Sequence, residues 1–173
     1  MVKEILTEFE LIVDSCEQPR ERPGAYEEQK KYYSGKKKNH TMKNQLIVLP
    51  NGDDIVDVVA GKPGPKSDIN LFRERQKGFD PRQRFNGDKG YEGELSIKTP
   101  KKKPKKGELT SEQKERNKEL ASSRIFVEHL IRLVKIFRVA SERFRLNSQK
   151  YEEVIMTICG LVRFRIGALV LKI

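Results

Sequence analysis

Residues 121–138, ASSRIFVEHLIRLVKIFR, constrain this chain more than any other stretch. Glu128 follows Arg124 by four residues and Lys135 follows Glu128 by seven, steps that return to one face of a helix with 3.6 residues per turn. Ile125, Val127, Leu130, Ile131, Val134 and Ile136 make most of the remaining surface apolar. That pattern predicts a helix buried on several sides with one charged stripe. Charges in such a setting are costly unless paired or bound to a metal. The stripe is either a salt-bridged face with Glu128 between two cations, or a device that delivers Glu128 to a site. Two aspartates far upstream bear on that choice.

The chain has 173 residues, the length of one ordinary domain. Lys and Arg number 36 against 25 Asp and Glu, a net charge of +11, which points to a polyanionic partner, most simply nucleic acid. An anionic membrane surface would prefer a long basic helix free of acidic residues, and none is present. The apolar run at 166–171 is too short to span a bilayer, and the start, MVKEILTEFE, lacks the apolar core of a signal peptide. Cys16 and Cys159 are far apart and form no CxxC pair, so they read as reduced thiols of a cytoplasmic protein, with Cys159 in a core pattern.

The apolar run 11–13 predicts a buried strand that ends abruptly in Asp14. A carboxylate at the end of a sheet strand is a common way to build a site, although a lone Asp also begins turns. Residues 17–38 read as a polar loop with one helical turn near 26–31. Its end mixes Tyr32 and Tyr33 with Lys36, Lys37, Lys38 and His40, a composition suited to phosphate contact and base stacking or to a solvated loop. Residues 43–49 and 54–60 read as strands joined at Pro50-Asn51-Gly52-Asp53, because Asn-Gly favours positive φ. Asp53, Asp54 and Asp57 fall at the turn and on the polar phase of the strand, a solvated face. Ser67-Asp68 reads as the cap of a short helix, DINLFRERQ, which explains Asp68 without a site.

Phe85 ends a further short strand, and Asn86-Gly87-Asp88-Lys89-Gly90-Tyr91 follows, with glycines on both sides of Asp88. LSIK at 95–98 is another short strand. The run TPKKKPKKG at 99–107 cannot pack a core and reads as a disordered segment or surface loop that adds nonspecific DNA affinity. A long helix opens at Thr110-Ser111 with acids in its first turn and extends, with a break, to about 137. A last helix, about 149–163, carries Val154, Ile155, Ile158 and Leu161 at helical spacing.

The order is three strands, a helix, two strands and two helices. It is that of an α/β ribonuclease H-like fold: a mixed sheet, its first three strands antiparallel, flanked by helices. In that order the first and fourth strands are central neighbours, so Asp14, Asp88 and Glu128 converge at one end of the sheet. Clustered carboxylates repel unless a divalent cation lies between them. Two such ions are the usual arrangement for in-line phosphodiester displacement, and His40 and His129 are poor substitutes there.

These residues resemble the DDE transposases of bacterial insertion sequences, in the branch related to Harbinger-type elements. LIVDS around Asp14, YYSGKKKNHTMK at 32–43, GDKGYEG at 87–93 and SRIFVEHLIRLVK at 123–135 carry the likeness, in that order, over about 8–166. The last fits the family's Arg-x3-Glu-x6-Lys signature as Arg124, Glu128 and Lys135. The resemblance implies a metal-dependent DNA endonuclease and strand-transfer domain. Asp14, Asp88 and Glu128 would be catalytic and hold Mg²⁺ or Mn²⁺. Lys36, Lys37, Lys38, His40, Lys43, Arg124 and Lys135 would bind DNA. This chain departs from the family's usual residues at Ser15, Ser67 and Ala121. The expected domain is 1–173, with 17–41 and 99–110 as loop insertions.

Family members usually carry an N-terminal helix-turn-helix-like segment before the first aspartate, and only 13 residues precede Asp14. The chain is therefore expected to be a catalytic half, either the second frame of a split gene or a truncated copy. Its expected partners are transposon ends, target DNA, an N-terminal half from another frame and further copies of itself on DNA, in the cytoplasm at the nucleoid and away from membranes. The competing class is a non-catalytic basic nucleic-acid-binding protein, a decayed transposase fragment.

Overall fold

The computed structural model describes residues 2–105 and 107–168. Helix α1 (Val2–Leu6) leads into strand β1 (Glu10–Pro19), helix α2 (Tyr26–Tyr32), strand β2 (Tyr33–Ser34) and strand β3 (Asn39–Val48). Strand β4 (Ile55–Pro63), helix α3 (Asp68–Gln76), and strands β5 (Arg84–Asn86) and β6 (Ile97–Lys98) follow. The chain closes with helices α4 (Ser111–Lys135), α5 (Arg138–Ser141) and α6 (Tyr151–Arg165). Lys106 of the lysine run and positions 169–171 of the late apolar run lie outside the described residues.

The sheet runs β4-β3-β1-β5-β6, with β2 extending the far end of β3. β1, β3 and β4 pair antiparallel, while β5 and β6 join β1 in parallel. This mixed sheet flanked by helices has the ribonuclease H-like order expected from the sequence, with β1 and β5 as central neighbours. The Asn-Gly turn forms as expected, with φ of 62° at Asn51 and 75° at Gly52.

Period-two alternation explains why the run 11–13 is apolar throughout. Ile12 faces the larger core beneath α4 and α6, with Leu46, Val48, Leu130 and Ile155. Leu11 and Val13 face the smaller core beneath α3, with Ile47, Phe72, Phe85 and Tyr91. The same alternation sends Asp14 to the α4 face and Ser15 to the α3 face.

Several boundaries differ from the sequence reading. β1 does not stop at Asp14. Its parallel ladder with β5 ends at Ile12, but the antiparallel ladder with β3 continues to Pro19. The polar residues after Asp14 stay in the strand because β3 pairs with them, and buried Gln18 is tied to the Val139 and Glu142 carbonyls at 2.7 and 2.8 Å. Residues 17–41 are thus not a plain loop insertion: they hold the ends of a long hairpin, a two-turn helix and β2. Helix α4 has no break, and Thr110 caps it reciprocally with Gln113.

The expectation that α4 is buried on several sides fails. Leu120, Val127, Leu130, Ile131 and Val134 form one buried stripe, whereas Ile125 and Ile136 are exposed. Each buried side chain of that stripe contributes about 1.5–3 kcal/mol. Leu161 is likewise exposed, and Val162 takes the core position on α6. The run 101–105 is irregular and exposed, but the Lys101 backbone exchanges two hydrogen bonds with the Asn117 side chain and lies against α4.

Candidate active site

Past Ile12, β1 has no strand on its β5 side, because the ladder with β5 stops at Ile12 and Asn86. Asp14 therefore borders a gap rather than a ladder. The gap is one end of a polar cleft of about 300 Å³. Asp14, Asp68 and Asp88 line it, together with Lys36, Lys37, Lys43, Arg124 and Lys135.

Asp14 is half-buried, and its Oδ1 accepts the Ser15 backbone N–H at 2.8 Å. Burial pushes its carboxyl up to about 6, and the nearby Asp88 and Glu128 carboxylates push the same way. The Ser15 amide and the Arg124 guanidinium oppose that rise without cancelling it. Asp88 follows β5 and caps the 3-10 turn Lys89–Tyr91, accepting the Gly90 N–H at 2.7 Å. Gly90 leaves room for two carboxylates: a Cβ there would stand 2.8 Å from Asp88 Oδ1 and 3.2 Å from Asp68 Oδ2.

Glu128 is placed differently. It reaches Asp14 electrostatically but does not line the cleft. Its side chain is 47% exposed, and its Oε1 lies 3.6 Å from Arg124 Nη2. This contact is half of the salt-bridged stripe that the helix pattern allowed. Arg124 itself is 19% exposed at the side chain, and its Nε is buried with no acceptor among the described residues. Lys135 lines the cleft beside Cys16, whose burial raises its thiol.

The expected DNA contacts divide. Lys36 and Lys37 are exposed at the rim of the cleft. Lys38 is exposed in the adjacent turn with φ of 49° and does not line the cleft. His40 packs edge-on against Tyr33 in a separate depression with Arg22 and Tyr26, where slight burial and then Arg22 and Arg20 lower its pKa. Lys43 is not a surface cation: buried, it donates to the Lys66 carbonyl at 2.5 Å and to Asp68 Oδ1 at 2.8 Å.

Sequence reasoning read Asp68 as a helix start and Ser15 as a departure from the family pattern, and gave neither a part in the site. Ser67 occupies the cap position of α3 but makes no side-chain cap bond, and Asp68 instead accepts the Ser15 hydroxyl at 2.5 Å. Alternation along β1 and β3 was the available signal, since it turns Ser15 and Lys43 toward α3.

A family model described as a DDE superfamily endonuclease matches residues 13–163, which include every cleft residue named above. The chain belongs to the DDE superfamily endonucleases. The chain is 36% identical over 161 residues to a protein of Microchaete diplosiphon named as a probable transposase for insertion sequence element IS702. The alignment covers 91% of this chain and 57% of that protein, so the chain spans a little over half of its relative's length. No solved structure matches the chain.

DDE endonucleases as a superfamily generally use divalent metals. The donor chemistry of this member fits such an ion. Asp14 and Asp88 offer hard oxygens to a polar cleft, and the carboxyl held near 6 is one that a nearby cation would bring down. The full donor set is not gathered: among the described residues no three His, Cys, Asp or Glu side chains are close enough together to hold a metal. No helix among the described residues is long and apolar enough to cross a membrane.

Proposed function

We propose that this chain is the metal-dependent nuclease and strand-transfer domain of an insertion-sequence transposase, in the Harbinger-related branch. The observation that supports this best is the meeting of Asp14 and Asp88 in a cation-lined cleft, with Asp14 held near 6.

Asp14 and Asp88 would hold Mg²⁺ or Mn²⁺, with Glu128 completing the set once it leaves Arg124. The bound ions would supply an activated water or 3′-hydroxyl and stabilise the leaving oxygen. Glu128 is 47% exposed and its contact with Arg124 is long, at 3.6 Å, which leaves it able to exchange Arg124 for a cation. The chain's own cations do the rest. Lys36 and Lys37 at the rim contact the DNA backbone, and Lys38 and His40 extend that surface. Arg124 and Lys135 flank the scissile phosphate and offset its charge. Lys43 acts from beneath, through Asp68, rather than by touching DNA.

The partners of this reading are element ends, target DNA, a helix-turn-helix segment supplied elsewhere and further copies of the chain, in the cytoplasm at the nucleoid. A second reading draws support from the Arg124–Glu128 contact and the ungathered donor set: a basic DNA-binding protein without catalysis. Titration with millimolar Mn²⁺ separates the two. An ion that binds only the folded state at a hundredfold excess over its Kd adds about 2.7 kcal/mol, which a thermal melt resolves. A raised Tm supports the nuclease, and an unmoved Tm supports the second reading.

A further inference from the structure

Asp68 is the first residue of α3, and three residues from two strands converge on it. Its Oδ1 accepts the Ser15 hydroxyl at 2.5 Å and the Lys43 ammonium at 2.8 Å, and its backbone carbonyl accepts Gln45 Nε2 at 3.2 Å. Both side-chain bonds fall on one oxygen. The other, Oδ2, lies on the Asp88 side of the cleft, 3.2 Å from where a Cβ on Gly90 would stand. Ser15 in turn gives its backbone N–H to Asp14 Oδ1 at 2.8 Å. A continuous chain therefore runs from Lys43 through Asp68 and Ser15 to Asp14.

We propose that Asp68 is a positioning residue of this cleft, which through its bonds to Ser15 and Lys43 fixes the segment of β1 that presents Asp14. The inference rests on the reading of Asp14 as a metal ligand. Stability alone does not account for the arrangement. A nearly buried Lys–Asp pair costs desolvation that an apolar pair of similar volume avoids. At Ser15 the ladder with β3 pairs one side of β1, and the ladder with β5 has ended at Ile12, so the hydroxyl bond to Asp68 is what ties down the open side of the strand beside Asp14. Asp68 is not read as a further ligand, because Lys43 already neutralises it and two donors occupy Oδ1. Partners that orient a ligand through hydrogen bonds are worth about 10–100-fold in metal affinity or activity.

Four variants test the assignment, each followed by Mn²⁺ calorimetry, cleavage kinetics and thermal melting. Ser15→Ala and Asp68→Asn are each expected to weaken Mn²⁺ binding and lower kcat by about 10–100-fold with KM for DNA unchanged. Combined, they should lose no more than either alone, because they interrupt one chain. The double replacement Lys43→Met with Asp68→Leu removes the pair without stranding a charge. It should keep the wild-type Tm and still show the loss. If it melts, binds Mn²⁺ and cuts like wild type, the pair is scaffolding and the proposal is overturned. Should that variant fail to fold, Ser15→Ala decides alone, and wild-type Mn²⁺ affinity and kcat overturn the proposal. A wild-type chain that neither binds Mn²⁺ nor cuts removes the metal-site reading itself, whereas a working wild type with indifferent variants removes only the role of Asp68.

Discussion

Arg124 Nη2 lies 3.6 Å from Glu128 Oε1, so the third expected ligand is held beside a cation one helical turn away. The same guanidinium also pulls the Asp14 carboxyl downward, against burial and against Asp88 and Glu128. Arg124 thus acts on two of the three carboxylates at once. It screens their repulsion in the absence of metal and leaves Glu128 free to exchange partners.

Arg124→Gln should therefore act through Asp14. Removing a cation that lowers Asp14 moves its carboxyl above the present value of about 6. The acid limb of Mn²⁺ binding, followed by calorimetry between pH 5 and 8, should shift to higher pH. A limb that stays in place would separate Arg124 from Asp14.

Asp14→Asn should stabilise the metal-free protein at neutral pH. The Asp14 carboxyl is raised from 3.8 to about 6, so the folded state holds a proton that the unfolded state has already released. The stability this provides is full below 3.8 and is lost as pH rises through 6. At 1.36 kcal/mol per pKa unit the loss is on the order of 2–3 kcal/mol. Urea unfolding should find Asp14→Asn more stable than wild type at pH 8 by up to that amount, and equal to it near pH 3.5. A variant less stable at both values contradicts the account.

Tyr151→Phe should damage the fold and spare the site. The Tyr151 hydroxyl is buried, donating to Gln18 Oε1 at 2.8 Å and accepting Asn44 Nδ2 at 2.7 Å. Phe takes the partner from Gln18 Oε1 and from Asn44 Nδ2 in the core, at about 1–3 kcal/mol for each orphaned group, while the other end of each amide keeps its bonds. Denaturant midpoints should fall accordingly, with Mn²⁺ affinity unchanged at temperatures where the variant is folded.

The fold was legible because the main strands have signals of their own, the all-apolar run at Leu11, the Asn-Gly turn at Asn51 and the glycines around Asp88, whereas β2 fell inside a stretch read as loop. Asp14 and Asp88 each lie two residues past the end of the β1–β5 ladder, at Ile12 and Asn86, and so fall at the same end of the sheet. What stayed hidden depends on partners distant in sequence. The length of β1 past Asp14 is set by β3, which no local pattern in DSCEQP announces. Burial of α4 was over-read because Ile125 and Ile136 are apolar yet lie off the stripe that meets the sheet. Asp68 was explained by its place at a helix start, and only its contact with Ser15, 53 positions earlier, gives it another role. The rotamer of Glu128, set beside Arg124, depends on side-chain contacts that a sequence does not fix.

The central claim is that Asp14, Asp88 and Glu128 form one metal-dependent nuclease centre. The measurement that tests it most directly is Mn²⁺-dependent cleavage of a duplex carrying the element end, by wild type and by Asp88→Asn in parallel. Asp88 caps only a short 3-10 turn, so the amide variant should fold. Wild type is predicted to cut only with the divalent ion, and Asp88→Asn to cut at least ~100-fold more slowly, a loss no smaller than that of an outer partner. Equal cutting by the two proteins would contradict the account.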